Sequence, residues 1–164
     1  MGQLEFNQVY AGHNKTVWRL ISRYVSSQHD REDLFQEVFL RIHRALPKFR
    51  ADSSLSTWIY RITVNTSLNF LKKQKRHAGL KDLLGSFRLI EVEEQSETQE
   101  PDKTFEPLQK LNPQQRMLLI MAEVEERKIS EISEILNLPV GTVKSNLSRA
   151  REILKKELKD NDIL

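Results

Sequence analysis

No cysteine occurs in this chain of 164 residues, which excludes disulfides, thiolate nucleophiles and cysteine-based zinc sites. Histidine is scarce as well: His13, His29, His43 and His77 stand too far apart in sequence for a short-spaced metal motif. Long apolar runs are missing. The longest, Met117 to Ala122, falls far short of the roughly 20 residues that a membrane-spanning helix needs. No apolar, signal-like stretch opens the chain. These absences predict a cytoplasmic protein with no membrane span, no metal, no cofactor and no catalytic residues of its own. With 38% hydrophobic residues, the chain has material for one ordinary domain or two small ones.

What is present is charge, unevenly spread. Residues 1–77 carry 13 Lys and Arg against 6 Asp and Glu, a net of +7, whereas residues 78–112 carry 4 against 8, a net of −4. Residues 113–164 balance at 9 of each, yet 141–159 alone hold 6 basic and 2 acidic side chains. Two basic blocks therefore flank an acidic middle. Such blocks mark contact with a polyanion or form a solvated basic face.

Only 5 Gly and 5 Pro interrupt the chain, and apolar residues recur at spacings of three and four, so the fold is predicted to be all-α. Phe6, Tyr10, His13, Val17, Leu20 and Tyr24 fall on one face of a first helix over about residues 4–26 and are assigned to the core. Asp30 is suited to cap a second helix with Leu34, Phe35, Val38, Phe39 and Ile42 inward, which Pro47 ends. A third helix runs from about Leu55 to Arg76. Residues 91–100 are polar, acidic and free of aromatics, the composition of a linker. Order resumes at Asn112-Pro113, where Asn is a helix cap, Pro fits the first turn and Gln115 stands at the capping-box position.

Residues 129–151 have the layout of a helix-turn-helix: a short helix, an Asn137-Leu138-Pro139 turn and a second helix. Val143, Leu147, Ala150 and Leu154 fall within about 60° of one another around that second helix, a packing face. Ser145, Arg149 and Lys156 point the other way, flanked by Lys144, Ser148, Arg151 and Lys155. These are side chains that bond phosphates and base edges in a major groove. The alternative is an ordinary helical hairpin with a solvated outer face.

On the third helix, Leu55, Ile59, Ile62, Thr66 and Phe70 share the expected core sector, and Tyr60, Val64, Leu68 and Leu71 form a second apolar set, as on a central helix contacted from two sides. Trp58 heads a different stripe with Arg61, Asn65, Asn69, Lys72 and Arg76. A large aromatic on a polar and basic face stacks on an unpaired base while amides bond its edge and cations hold phosphates; alternatively Trp58 is covered by the preceding loop. On the second helix Asp33, Gln36, Glu37 and Arg41 line one polar side, either a solvated face or a protein-docking surface.

Four segments carry a family resemblance: Asp33 to Arg50 (DLFQEVFLRIHRALPKFR), Ser56 to Asn65 (STWIYRITVN), Leu111 to Arg116 (LNPQQR) and Leu138 to Arg151 (LPVGTVKSNLSRAR). In this order, with a linker between the pairs, they resemble bacterial RNA polymerase sigma factors of the extracytoplasmic function (ECF) group, two-domain members of the sigma-70 family. The resemblance implies two small helical bundles joined by a flexible acidic linker: residues 1–77 for polymerase docking and −10 element melting, 78–106 as the linker threading the polymerase, and 107–164 for −35 recognition. It implies that Asp33, Gln36, Glu37 and Arg41 dock on the coiled coil of the polymerase's largest subunit. The loop from Phe49 to Thr57 and Asn65 would capture a base flipped out of the −10 element. Trp58, Arg61, Asn69 and the cluster of Lys72, Lys73 and Arg76 would hold the opened strand and upstream duplex. Lys144, Ser145 and Arg149 would read the −35 element, with Thr142, Ser148 and Arg151 on its backbone.

The partners implied are core RNA polymerase, promoter DNA as duplex and melted strand, and an anti-sigma factor. Lys144 stands where many relatives have Arg, and Asn146 replaces another frequent basic residue. Two other readings compete. A stand-alone helix-turn-helix regulator of LuxR-like type explains the rear motif but not the Trp58 stripe. A helical adaptor leaves both basic faces solvated.

Overall fold

The structure, a computed structural model, describes residues 5–86 and 106–160, and every regular element among them is helical. The acidic stretch 91–100 lies outside the described residues. Three long helices form the front of the molecule: α1 (Phe6–Tyr24), α2 (Gln28–Ala45) and α3 (Leu55–Ser86). The rear comprises α4 (Glu106–Gln109), α5 (Pro113–Leu119), α6 (Ile129–Leu136) and α7 (Val140–Asp160).

Local chemistry sets most of the boundaries. Ser27, not Asp30, caps α2: its hydroxyl accepts the Asp30 amide at 3.3 Å. Asp30 instead sits in the first turn, where its charge complements the positive helix end. Arg31 ties the turn down by donating to the Val25 carbonyl at 2.6 Å. Beyond α2, Pro47 lies in a 3₁₀ turn (Leu46–Lys48), and Ser54 starts α3 by accepting the Thr57 amide at 3.1 Å. Asn112 and Gln115 make the expected capping box at the start of α5, with bonds of 2.8 and 3.1 Å.

The core face of α1 differs from expectation in its first half, where Phe6 and His13 are only half-buried and Val9 takes the buried position. Val9, Val17, Leu20, Ile21 and Tyr24 are buried, whereas Tyr10 remains 41% exposed. Its ring packs edge-on against Phe35 and Phe39, so it covers the core from outside rather than filling it. Buried Leu34, Val38, Phe39 and Ile42 form the inner face of α2.

Helix α3 is central. It packs against α1 and α2 on one side and against α5 and α6 on the other, which accounts for its two apolar sets. Thr63, Thr66 and Ser67 are buried within it, and each hydroxyl donates to the carbonyl four residues back, at 2.6 to 2.8 Å. Self-satisfied short hydroxyls can be enclosed without the penalty of an unpaired polar group. The helix continues past Arg76 to Ser86. Nothing from Lys72 to Ala78 breaks a helix, and Leu71, Gln74, Lys75 and Ala78 gain a surface opposite Gln109, Leu111, Pro113 and Arg116.

One buried apolar cluster runs through front and rear, from Val9 and Leu34 through Val64 and Leu68 to Met117, Ile132 and Leu147. A smaller cluster of Leu111, Leu119 and Ala150, with Leu108, Ile153 and Leu154 against it, joins α4, α5 and α7. Between α5 and α6 the chain widens into a π turn at Ile120–Val124, where the Glu125 amide bonds the Ile120 carbonyl at 3.0 Å.

Candidate nucleic-acid interface

The α6–α7 turn is built by Asn137, whose left-handed backbone (φ 52°) closes the end of α6, and by Ser133, which donates to the Leu138 carbonyl at 2.5 Å. Asn tolerates this conformation better than branched side chains. Val143, Leu147 and Ala150 are fully buried beneath α7. The opposite face carries Lys144, Ser145, Ser148 and Arg149, all exposed. Thr142 is half-buried, and its carbonyl accepts from Ser145 at 3.1 Å and from Asn146 at 2.9 Å. Arg151 is engaged by Glu123 through two nitrogens, at 2.8 and 2.6 Å. The outward face of α7 is thus cationic and hydroxyl-bearing at a convex helix, the shape that enters a major groove.

The stripe on α3 is divided between two clefts. Trp58, Arg61, Asn65 and Thr66 line one of about 470 Å³ together with Arg41, Arg44, Ala45 and Ile62. Phe49 packs on Trp58, with ring centroids 5.0 Å apart, so the loop covers part of the indole while another part lines the cleft. Ala51 holds a left-handed backbone (φ 58°) in that loop. Asn69 and Lys72 line a second cleft of about 520 Å³ with Lys75, Arg76 and Pro113. Lys73 is exposed but lines neither. Arg41 was expected on a docking face; with Arg44 it also reaches the Trp58 cleft, a convergence that separate helical projections do not display. Asp33 and Gln36 are exposed on α2, Leu40 beside them is 51% exposed, and Arg41 pairs with Glu37 at 2.6 Å.

The same α3 stripe meets the rear of the molecule. The Asn65 side-chain nitrogen donates to the Arg61 carbonyl and to the Ile135 carbonyl on α6, each at 2.9 Å. Arg61 lies 3.9 Å from Glu134, and Lys72 donates to Gln114 at 3.4 Å. Next to these contacts Glu125, whose side chain is only 4% exposed, accepts from the hydroxyls of Tyr24 and Tyr60 and is flanked by Arg23 and Arg127. Burial, with the Glu125 carboxylate at hand, pushes both phenols well above the ordinary tyrosine value. The guanidinium of Arg127 sits over the Tyr60 ring at 4.1 Å. Sequence reasoning missed this cluster. Tyr24 and Tyr60 read as members of apolar helix faces, and nothing in the local pattern singles out Glu125.

Comparison with known proteins follows the same division. Residues 9–77 match Sigma-70 region 2, and residues 107–154 match Sigma-70, region 4. The chain is 34% identical over 169 residues to the ECF RNA polymerase sigma-E factor of Escherichia coli, covering 93% of this chain and 85% of that protein. It is 31% identical over 165 residues to its counterpart in Haemophilus influenzae, covering 93% and 87%. In fold it is similar to the sigma factor RpoE of Bartonella quintana, solved in complex with the anti-sigma factor NepR, with a TM-score of 0.64 and 23% identity over 94% of this chain and 96% of that one. A second likeness is CnrH in complex with the cytosolic domain of CnrY, with a TM-score of 0.59 and 21% identity over 94% and 88%.

Proposed function

The chain belongs to the sigma-70 family, within its ECF group of RNA polymerase sigma factors, and we propose on that premise how its surfaces divide the work. It binds core RNA polymerase and directs promoter-specific initiation through −10 and −35 element recognition and DNA melting. Helix α7 presents Lys144, Ser145 and Arg149 to base edges of the −35 element, with Thr142, Ser148 and Arg151 on the phosphates. Arg151 leaves Glu123 to do so, at little cost because the pair is exposed.

At the −10 element, the loop from Phe49 to Thr57 takes a flipped base together with Asn65, and Trp58 stacks on the opened strand. Arg61, Asn69, Lys72, Lys73 and Arg76 hold phosphates. Unstacking costs a few kcal/mol, while aromatic stacking returns about 1–3 kcal/mol per base and phosphate contacts add to it. Binding therefore opens the duplex without ATP. Residues Asp33, Gln36, Glu37 and Arg41 dock on the polymerase, assigning residues 1–77 to docking and melting, 78–106 to the linker and 107–164 to −35 recognition.

The factor performs no covalent step, since phosphodiester synthesis belongs to the polymerase, and it works in the cytoplasm where that enzyme is. An anti-sigma factor is its natural inhibitor, as supported by the fold relative RpoE, solved in complex with the anti-sigma factor NepR. The observation that carries this reading is the pairing of an exposed basic helix-turn-helix with a Trp58 cleft ringed by Arg41, Arg44 and Arg61. A stand-alone regulator gives that cleft no task. Core polymerase loaded with the purified chain and offered a randomised template library should transcribe templates sharing two elements at fixed spacing. Initiation without template preference, or none, would refute the reading.

A further inference from the structure

The stripe of α3 that we assign to the melted strand borders the surface on which α5 and α6 rest. The two uses exclude each other at Asn65. Its amide group has two protons, and both are spent, one on the Arg61 carbonyl and one on the Ile135 carbonyl. Arg61 faces Glu134 and Lys72 faces Gln114, so contacts with the rear helices extend along the stripe to either side. The −35 helix is not affected in the same way, because Lys144, Ser145, Ser148 and Arg149 remain exposed.

One side chain stands out as the tie that holds this arrangement. Glu125 comes from the turn after α5, yet its carboxylate is buried against the front helices, accepting from Tyr24 on α1 and Tyr60 on α3. Arg23 of α1 lies 3.4 Å away and Arg127 3.9 Å away. The next residue, Glu126, takes a left-handed backbone (φ 52°), which turns the chain back toward α6 directly after the carboxylate is inserted. A carboxylate this enclosed is tolerable only while its partners are in place. In the shut form two hydroxyl donors and two neighbouring guanidiniums satisfy this carboxylate.

We infer that Glu125, clasped between Tyr24 and Tyr60, is a latch that holds the rear helices against the edge of the strand-binding stripe, so that the free protein keeps Asn65 of its own −10 site occupied. The inference rests on the function proposed above. Releasing the latch frees Asn65, Arg61 and Lys72 together from their partners on the rear helices, and a partner that binds the separated halves better than the closed form drives the change.

Because the chain has no cysteine, two can be introduced and labelled without interference. Fluorescence transfer between dyes at His29→Cys on α2 and Lys159→Cys on α7 reports the closed form in the full chain, and a fluorescein-labelled oligothymidine strand probes the stripe. Wild type should show high transfer and weak strand binding. Glu125→Arg, which sets a cation against Arg23 and Arg127, should lower transfer and tighten strand binding about tenfold, as when the competent fraction rises from about a tenth to nearly all. The double variant Tyr24→Phe with Tyr60→Phe keeps the ring packing and should move both readings the same way, which guards against a folding defect at position 125.

Transfer that is low in wild type, or unmoved in both variants, overturns the latch. Lower transfer without tighter strand binding overturns the competition at Asn65. Promoter-specific transcription by wild type with core polymerase is scored separately, so a factor that transcribes without responding at the latch refutes this inference and leaves the functional reading intact.

Discussion

The side-chain amide of Asn65 on α3 donates to the main-chain carbonyl of Ile135 on α6 at 2.9 Å, joining two helices separated by 70 positions in sequence. Because the acceptor is backbone, no substitution at position 135 deletes it, and the bond is best probed from the other end. Asn65→Asp sets a carboxylate against the carbonyls of Arg61 and Ile135, leaving acceptors facing acceptors. The expected loss is about 1–3 kcal/mol of stability, measured by urea unfolding of the full chain.

Leu147 is fully buried between α7 and the helices beneath it. Leu147→Ala should destabilise the rear helices by about 2–5 kcal/mol, through lost transfer energy and the cavity left behind. Thermal unfolding followed by circular dichroism would show a lower midpoint, whereas truncating exposed Ser145 should leave the midpoint almost unchanged.

Alkaline pH should loosen the tie between front and rear. The folded protein keeps Tyr24 and Tyr60 protonated past the ordinary value of 10.0, chiefly because both are buried. The unfolded chain therefore gives up these protons first as pH rises. The associated stability is fully present below about pH 10 and declines above it. Denaturant midpoints recorded on either side of that pH should show the decline, and the variant with both tyrosines changed to Phe should show a shallower one.

At the surface proposed to read the −35 element, Lys144 is exposed and carries a point charge where a guanidinium would offer a planar fork. Lys144→Arg should sharpen preference for guanine at one position of the upstream element, by about 1–3 kcal/mol of discrimination. Selection from a promoter library with polymerase holoenzyme measures this directly, and an unchanged preference would place Lys144 away from the bases.

Much of the fold was legible in the sequence because its signals are local. The capping box at Asn112 and Gln115, the Asn137 turn and the buried Val143, Leu147 and Ala150 face follow from side-chain types at fixed spacings. The continuation of α3 to Ser86 was less accessible, because the basic cluster ending at Arg76 and the acidic composition beyond it mark a change of charge and not the end of a helix. The candidate site divides the same way. Trp58, Arg61 and Asn65 were visible as one stripe on one helix, but Arg44 reaches their cleft only after α2 and α3 have packed. The buried Glu125 was invisible for a related reason: its partners Tyr24 and Tyr60 lie 101 and 65 positions away.

The central claim is that this chain opens promoter DNA by binding, with Trp58 as the stacking surface and α7 as the upstream reader. Permanganate reactivity of unpaired thymines on a selected promoter tests it most directly, comparing wild type with Trp58→Ala and Arg149→Ala, each bound to core polymerase. Wild type should expose thymines in the −10 region without ATP. Trp58→Ala should bind the promoter but lose that reactivity, and Arg149→Ala should need more holoenzyme for the same opening. Full reactivity in Trp58→Ala, or none in wild type, would contradict the account.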